Sequence, residues 1–405
     1  MRRAVVSLGL LALSAGCAVD LTEPVEVIEP RLMGARVEVE VDPTRTRPAL
    51  GERFSLRQYL ALPPGAPSTP LATRYDMNVA LCLGVKTATG TLACVGEQKL
   101  TPTLTPISDL ELVLSGFSLD LNSLNLPPDL LQGAVAAGFE ASDFEFDRVA
   151  LFGVLCVDGK AEAVPGKSVA QDAPSTLFRC VDNQGAKFPA ANAFTLSVLI
   201  NRGRLGDDNH NPLFACDPAA PASPCAVGIV RENEPLVPGP LVLARPKKKG
   251  LPREVVAWPA IAGNLALPWD NCAQNPNLLQ VRVDSGEHTI RVRFDPSDRE
   301  RYLEELKVNG VDSQRESREE LIVTQAATAS GGDLGRFDSL LAKDELDAEG
   351  EVSVSYTPPE TNGKGDHLVP ENGRLVRLYF TVRDRRGGID YTVRELCLVP
   401  RANQE

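Results

Sequence analysis

The sequence predicts an all-β chain: two antiparallel β-sandwich domains behind an N-terminal export signal. Three observations carry that prediction. Short runs of alternating apolar and polar residues recur along most of the chain, at the period of two that a half-buried strand requires. Glycine and proline are abundant, 32 of each in 405 residues, which suits many turns and short strands better than long helices. There are nine cysteines, all but one of them behind the signal, and an oxidising compartment turns such a set into disulfides that brace small domains.

The signal comes first. Arg2 and Arg3 give a positive start, Ala4 to Leu13 an apolar run, and Leu13-Ser14-Ala15-Gly16-Cys17 leads through small residues into a cysteine. This is the layout of a secretory signal peptide. A transmembrane helix fits poorly, because spanning a bilayer takes about 20 apolar residues and the run is far shorter. The cysteine at the cut site resembles the lipobox of bacterial lipoproteins. That resemblance implies removal of residues 1–16, acylation of Cys17 and attachment to a lipid bilayer, since two or more acyl chains anchor a protein stably where one does not. Ala18, in place of an aspartate, implies by the sorting pattern of that family delivery to the outer membrane, on its periplasmic or its outer side. Residues 17–34 then read as a lipidated tether, acidic and kept extended by its prolines.

Behind the tether the chain has the makings of packed cores. Apolar residues are 43% and charged residues 24% of the sequence, proportions of a globular rather than a disordered protein. A net charge of −12 speaks against nucleic acid as a partner, because phosphate backbones are bound by basic surfaces. The basic run Arg245-Pro246-Lys247-Lys248-Lys249 sits beside prolines and reads as solvated linker.

The first domain is expected over 35–212. Its first clear strand is Arg36 to Asp42, where Val37, Val39 and Val41 alternate with charged residues. Phe54 and Leu56 open a second strand. Tyr75, Met77, Val79, Leu81 and Leu83 form a third, which places Cys82 on its opposite face. Leu110, Leu112 and Leu114 alternate, but the rhythm then breaks, and 101–145 reads as an insertion or long decorated loop with one short helix starting near Pro128-Asp129. Arg148 to Val157 is nearly continuously apolar, as a central sandwich strand would be. Phe194 to Ile200 alternates again.

From 213 to 270 the texture turns rich in proline and alanine, either a linker or the loosely patterned start of the second domain. That domain is expected over 271–400. Strands read at Leu279 to Val283, Ile290 to Phe294, Leu321 to Val323, Val352 to Tyr356, Val376 to Val382 and Tyr391 to Val399. A brief helix is expected over Asp295 to Leu306, and a hairpin turn at Asp384-Arg385-Arg386-Gly387-Gly388.

With Cys17 set aside, the remaining cysteines are Cys82, Cys94, Cys156, Cys180, Cys216, Cys225, Cys272 and Cys397. Eight cysteines allow 105 connectivities, and sequence alone selects none of them. Pairing neighbours costs the least entropy: Cys82 with Cys94, Cys156 with Cys180, Cys216 with Cys225, and Cys272 with Cys397 across the last domain. Zinc is the rival explanation, but no CxxC or HxxxH spacing supports it, and only His210, His288 and His367 exist.

Two motifs bear on function. The stretch from Val376 to Val399 resembles the final hairpin of immunoglobulin-like or cadherin-like domains in bacterial surface proteins: a strand ending in an aspartate, a glycine pair that turns, and a last strand that closes the sheet. The antibody hallmarks are missing, with no tryptophan between Cys272 and Cys397 and no tyrosine two residues before Cys397. The resemblance therefore implies the sandwich architecture only. The second motif is Asp207-Asp208-Asn209-His210-Asn211-Pro212. Oxygen-bearing side chains at Asp207, Asn209 and Asn211 alternate as ligands for Ca²⁺, which takes six to eight oxygens. The run is similar to the calcium-binding linker between cadherin repeats, as is the triplet Asp298-Arg299-Glu300. It departs from that pattern at His210, which supplies no hard oxygen, and lacks one residue before the proline. The alternative is an Asx-rich turn whose side chains serve the local backbone.

Catalytic patterns are scarce. The mature chain has no HExxH, GxSxG, P-loop or dinucleotide fingerprint. Glycosidase carboxylates usually line an aromatic cleft, and aromatic residues are only 5% of the sequence. The expectation is a non-enzyme without a cofactor, a structural calcium ion aside. As a whole the chain resembles surface lipoproteins of Gram-negative bacteria of deltaproteobacterial type. Its expected role is binding an envelope protein or glycan, or building the envelope. The alternatives are an accessory or ligand-binding lipoprotein of an export or uptake system and, third, an outer-membrane hydrolase.

Overall fold

A computed structural model describes residues 25–27, 31–49, 51–62, 75–86, 92–108, 110–118, 148–157, 159–168, 172, 176–182, 184–186, 193–201, 209–214, 227–232, 242–243, 253–258, 271–283, 285–294, 299–308, 311–329, 334–338, 341–343, 351–359, 369–384 and 386–400. The chain is all-β. After a short β1 (Val25–Glu26), the first half contributes β2 (Arg31–Val39), β3 (Arg53–Ala61), β4 (Tyr75–Lys86), β5 (Leu92–Leu100), β6 (Thr103–Ser108), β7 (Glu111–Ser118), β8 (Arg148–Val157), β9 (Lys160–Ala163), β10 (Phe178–Val181) and β11 (Ala193–Asn201). The second half contributes β12 (Val227–Glu232), β13 (Val242–Leu243), β14 (Arg253–Ala257), β15 (Leu279–Arg282), β16 (His288–Arg293), β17 (Arg301–Val308), β18 (Val311–Arg318), β19 (Ile322–Ala329), β20 (Arg336–Phe337), β21 (Leu341–Lys343), β22 (Glu351–Thr357), β23 (Arg374–Arg383) and β24 (Ile389–Val399).

In the first sandwich one sheet has the order β2-β3-β7-β6 and the other β11-β8-β4-β5. Every pairing in these two sheets is antiparallel. The chain changes sheet after β3, β5 and β7, a Greek-key path. The alternating residues explain the packing: Phe54 and Leu56 on β3 and Leu112 and Leu114 on β7 meet Met77, Val79 and Leu81 on β4 and Val149, Leu151 and Leu155 on β8. Each such side chain contributes about 1.5–3 kcal/mol when fully buried. The outer face of β4 and β8 is covered by the β9–β10 hairpin, where Ala80, Cys82, Ala150 and Val154 pack on Leu177 and Phe178.

In the second sandwich a sheet ordered β1-β19-β23-β24-β15-β13, with β21 also on β19, packs against one ordered β14-β12-β16-β22-β20. Its core joins Val281, Val323, Val376, Leu378, Phe380, Leu396 and Leu398 to Ile229, Ile290, Val292, Val354, Tyr356 and Phe337. Three pairings are parallel, unlike the antiparallel rule expected throughout: β1 with β19, β13 with β15, and β15 with β24.

Two sequence expectations need correction, and one left open is decided. Residues 103–118, placed within an insertion, are β6 and β7, integral strands of the first sandwich; Leu112 and Leu114 line its core face, while Leu110, just before β7, packs on the other side. Of the two readings left open for the Pro- and Ala-rich region, the start of the second domain holds: β12, β13 and β14 belong to the sheets of the second sandwich. The stretch read as a helix contains β17, paired antiparallel with β18 so that Val308 faces Val311. Tyr302, Leu303 and Leu306 mimic a helical spacing, but Asn309-Gly310 between two strands is a strong hairpin signal. The helix expected near Pro128 lies outside the described residues.

The two sandwiches meet face to face. On β3, burial alternates as far as Arg57 and then becomes continuous through Gln58, Tyr59, Leu60 and Ala61. Beyond that point both faces of the sheet are covered. Tyr59, Ala61, Leu62 and Leu110 pack on Ala326, Tyr379, Ile389, Tyr391 and Val393, joined by Val27. The sheet β2-β3-β7-β6 thus carries a core on one side and this seam on the other.

Candidate functional site

The seam ends in a polar keystone, and the β23–β24 turn builds it. Asp384 Oδ1 accepts the backbone N–H groups of Arg386, Gly387 and Gly388 at 2.7, 2.6 and 2.7 Å. Gly387 has φ +117°, a left-handed value that favours glycine. A Cβ on Gly388 would run into the Asp384 carboxylate and Pro212. The turn thereby aims the Arg386 side chain at the base of the β17–β18 hairpin and leaves its carbonyl facing the first sandwich. Its Nη1 lies 2.9 Å from Glu319 Oε1 and 3.2 Å from Glu300 Oε2, and its guanidinium sits 4.7 Å over the Tyr302 ring. Its carbonyl accepts Arg47 Nε and Nη2 from the first sandwich at 3.1 and 3.0 Å.

Burial decides the electrostatics here. Glu319 is 3% exposed. Desolvation, reinforced by the Asp384 and Glu300 carboxylates and opposed by Arg386, pushes its carboxyl up to about 8. Burial also raises Asp384, against the three backbone N–H groups that favour its charged form. Glu319 and Glu300 thus share one guanidinium, with the Asp384 carboxylate held on backbone N–H groups beside them.

The residues read as calcium ligands fall beside this keystone. Asn209 and Asn211 are buried. Asn209 Nδ2 donates to Thr46 Oγ1 and, at 3.4 Å, to Asp384 Oδ2, while its carbonyl accepts the Thr46 N–H at 2.9 Å. Asn211 Nδ2 donates to the carbonyls of Val37 and Thr44 at 2.9 and 3.3 Å, and its Oδ1 accepts the Ile389 N–H at 3.2 Å. Their amides therefore fasten the linker to both sandwiches, in place of the local backbone that an Asx-rich turn would serve. His210 pairs through Nδ1 with Glu300, which brings that end of the Asp298-Arg299-Glu300 triplet to the linker; Asp298 lies outside the described residues. Asp207 lies outside the described residues. Among the described residues no group of three or more His, Cys, Asp or Glu is arranged to hold a metal ion.

The cysteines are partly described. Disulfides join Cys156 to Cys180 and Cys272 to Cys397, two of the neighbour pairs. Cys82 is disulfide-bonded as well, and the backbone of Cys94 lies on the adjoining β5, opposite Gly84. Cys17, Cys216 and Cys225 lie outside the described residues. Gly373, at φ +85°, lets the chain pass over the Cys272–Cys397 bridge, since a Cβ there would strike both sulfurs.

One arrangement invisible in the sequence has the outline of a nucleophile and its base. Ser285 Oγ lies 2.6 Å from His288 Nε2, in the connection from β15 to β16. Both are nearly buried, at 6% and 9% exposure. Desolvation lowers the His288 imidazole to about 4, against a modest upward pull from Glu287. A neutral, buried ring with so low a pKa is a weak general base. Among the described residues no carboxylate is hydrogen-bonded to its other nitrogen, which an orienting third group would require. His367 lies outside the described residues.

No protein-family model and no curated protein matches this chain. Among solved structures, MtrC from Shewanella baltica is similar at 8% identity over 92% of this chain and 71% of its own, with a TM-score of 0.19. Dimeric latent PorU from Porphyromonas gingivalis is similar at 9% identity over 91% of this chain and 34% of its own, with a TM-score of 0.17. Scores that low carry no argument about this chain.

Proposed function

We propose that this chain is a membrane-anchored extracytoplasmic lipoprotein whose two immunoglobulin-like sandwiches play a non-catalytic binding or structural role in the cell envelope. In this reading Cys17 carries the lipid that holds it to the outer membrane, and an envelope protein or glycan meets the loops. The observation that carries the reading is the welded seam: an apolar layer capped by the Arg386 keystone joins two sandwiches into one stiff scaffold. Loops on a rigid scaffold are where recognition residues concentrate. The sheet orders β2-β3-β7-β6 and β11-β8-β4-β5 correspond to the A-B-E-D and G-F-C-C′ order of immunoglobulin domains, which supports that fold name for the first sandwich. Buried disulfides support an oxidising compartment.

Metabolic labelling with an alkyne analogue of palmitate tests the anchor. Label should enter the wild type and be lost from Cys17→Ala, which should leave the membrane fraction. Mild cross-linking of the anchored chain should then capture a specific protein or glycan, or a regular envelope assembly. An unlabelled wild type would overturn the anchor, and a labelled chain with no neighbour would overturn the role.

A further inference from the structure

We infer that Val25–Val27 is a buckle fastening the membrane tether to the second sandwich, so that the β19 side of the junction has the lipid surface as its partner. The inference rests on the acylation of Cys17 proposed above. β1 precedes the first sandwich in the chain but pairs with the second: Val25 lies opposite Ala326 and Glu26 opposite Ala327. Val27 N–H donates to the Ala327 carbonyl at 2.8 Å, and the Thr328 hydroxyl donates to the Val27 carbonyl at 3.0 Å. Arg31 Nη2 closes the strap by donating to the Glu26 carbonyl at 2.9 Å. Val27 is 1% exposed and packs into the seam with Tyr59, Leu62 and Ala326. A spacer that only separated a body from a bilayer would gain nothing by burying a valine between two domains.

The fastening shortens the leash. An extended chain covers at most about 3.6 Å per residue, so the eight steps from Cys17 to Val25 place the acylated residue within about 29 Å of β19. A tether leaving the body at β2 would have fourteen steps to Arg31 and a reach of about 50 Å. The buckle also moves the attachment point from the first sandwich to the second. The β9–β10 hairpin lies on the far side of the first sandwich. The two sheets of that sandwich separate it from β19, about 30 Å in all at about 10 Å per packed layer.

The test is energy transfer to the membrane. The full chain, processed from its own signal, is reconstituted in phosphatidylcholine vesicles containing a few per cent of an acceptor-labelled lipid. A donor fluorophore is installed as an unnatural amino acid at Arg336 in the second sandwich or at Arg179 on the β9–β10 hairpin, both exposed. Transfer from position 336 should exceed that from 179 at least twofold. Val27→Pro, which deletes the N–H bound to Ala327, should bring the two close together while the far-ultraviolet circular dichroism stays unchanged. Thr328→Val, which removes only the hydroxyl donor, should act in the same direction and serves where the proline variant fails to fold. Equal transfer from both positions in the wild type, or an unchanged ratio in folded variants, overturns the buckle. A wild type that fails to join vesicles overturns acylation instead. Coupling the Cys17 thiol to a maleimide lipid then tests the buckle alone.

Discussion

Tyr59 and Tyr391 stack with ring centroids 4.9 Å apart across the seam, one from each sandwich, and Tyr391 Oη donates to the Leu60 carbonyl at 2.6 Å. Tyr379 Oη makes the matching bond to the Leu62 carbonyl at 2.8 Å. The sheet β2-β3-β7-β6 is therefore gripped by the second sandwich through two phenols. Tyr391→Phe should cost about 1–3 kcal/mol, because it leaves a buried carbonyl unpaired. A double-mutant cycle of Tyr59→Ala with Tyr391→Ala, measured by urea unfolding, should show coupling of about 0.5–1.5 kcal/mol from the stacked rings. No coupling would mean the seam opens in solution.

Arg377 and Glu395 form an ion pair in which both side chains are almost wholly buried, at 1% and 2% exposure, with Nη2 2.6 Å from Oε1. Glu395→Leu alone strands a buried guanidinium and should cost about 3–5 kcal/mol. Adding Arg377→Met should recover most of that loss, since a well-packed apolar pair avoids the desolvation of both charges. Thermal melts of the two variants decide it. Equal destabilisation by the single and the double variant would contradict the account.

Gln58 sits on β3 between Leu56 and Leu60 along the face that lines the first core. It is 2% exposed, and both of its side-chain polar atoms lack a partner among the described residues. Leaving a buried amide unsatisfied costs about 1–3 kcal/mol. Gln58→Leu should therefore raise stability by a similar amount, visible as a melting temperature several degrees higher.

Glu319 makes stability depend on pH. Its carboxyl titrates near 8 in the folded chain against an ordinary value of 4.5. Between those values the folded state holds a proton that the unfolded state has released. Its contribution is therefore full below about pH 4.5 and is lost as pH rises through 8, with a slope of at most about 1.4 kcal/mol per pH unit. Glu319→Gln should flatten the unfolding free energy over that window relative to wild type. His288 works the other way. With its imidazole lowered to about 4 from 6.5, it favours folding above 6.5 and loses that contribution as pH falls toward 4.

The Ser285–His288 contact predicts a negative chemical result. With its base neutral and buried, Ser285 should stay unlabelled by a fluorophosphonate probe at pH 7–8. A stoichiometric adduct at Ser285 would revive the hydrolase reading.

Much of the fold was legible because strand alternation is a local signal. Val37, Leu56, Met77, Leu112, Ile290 and Val376 declare their faces without help from distant residues. What escaped were features made by contact between remote segments. Tyr59 and Tyr391 read as ordinary alternating strand residues, and nothing near them says that both sheet faces are covered. Arg377 and Glu395 gave no local sign of their pairing, because each finds its counter-ion on a neighbouring strand. At the candidate site, Asn209 and Asn211 were visible as a special turn. Their task was not, because their partners Thr46, Val37, Asp384 and Ile389 lie more than a hundred residues away. Ser285 and His288 stand three residues apart, but only the bend between β15 and β16 turns that spacing into contact.

Because β1 and β24 belong to one sheet, the second sandwich begins and finishes the described chain, and the first is spliced between its pieces. Severing the connection near Phe214 would not yield two self-sufficient halves. The amino-terminal fragment would carry away a strand that its sister needs, and would bare Tyr59, Ala61, Leu62 and Leu110 to water as a sticky patch. Proteolytic nicking there should accordingly leave the pieces associated until denaturant separates them.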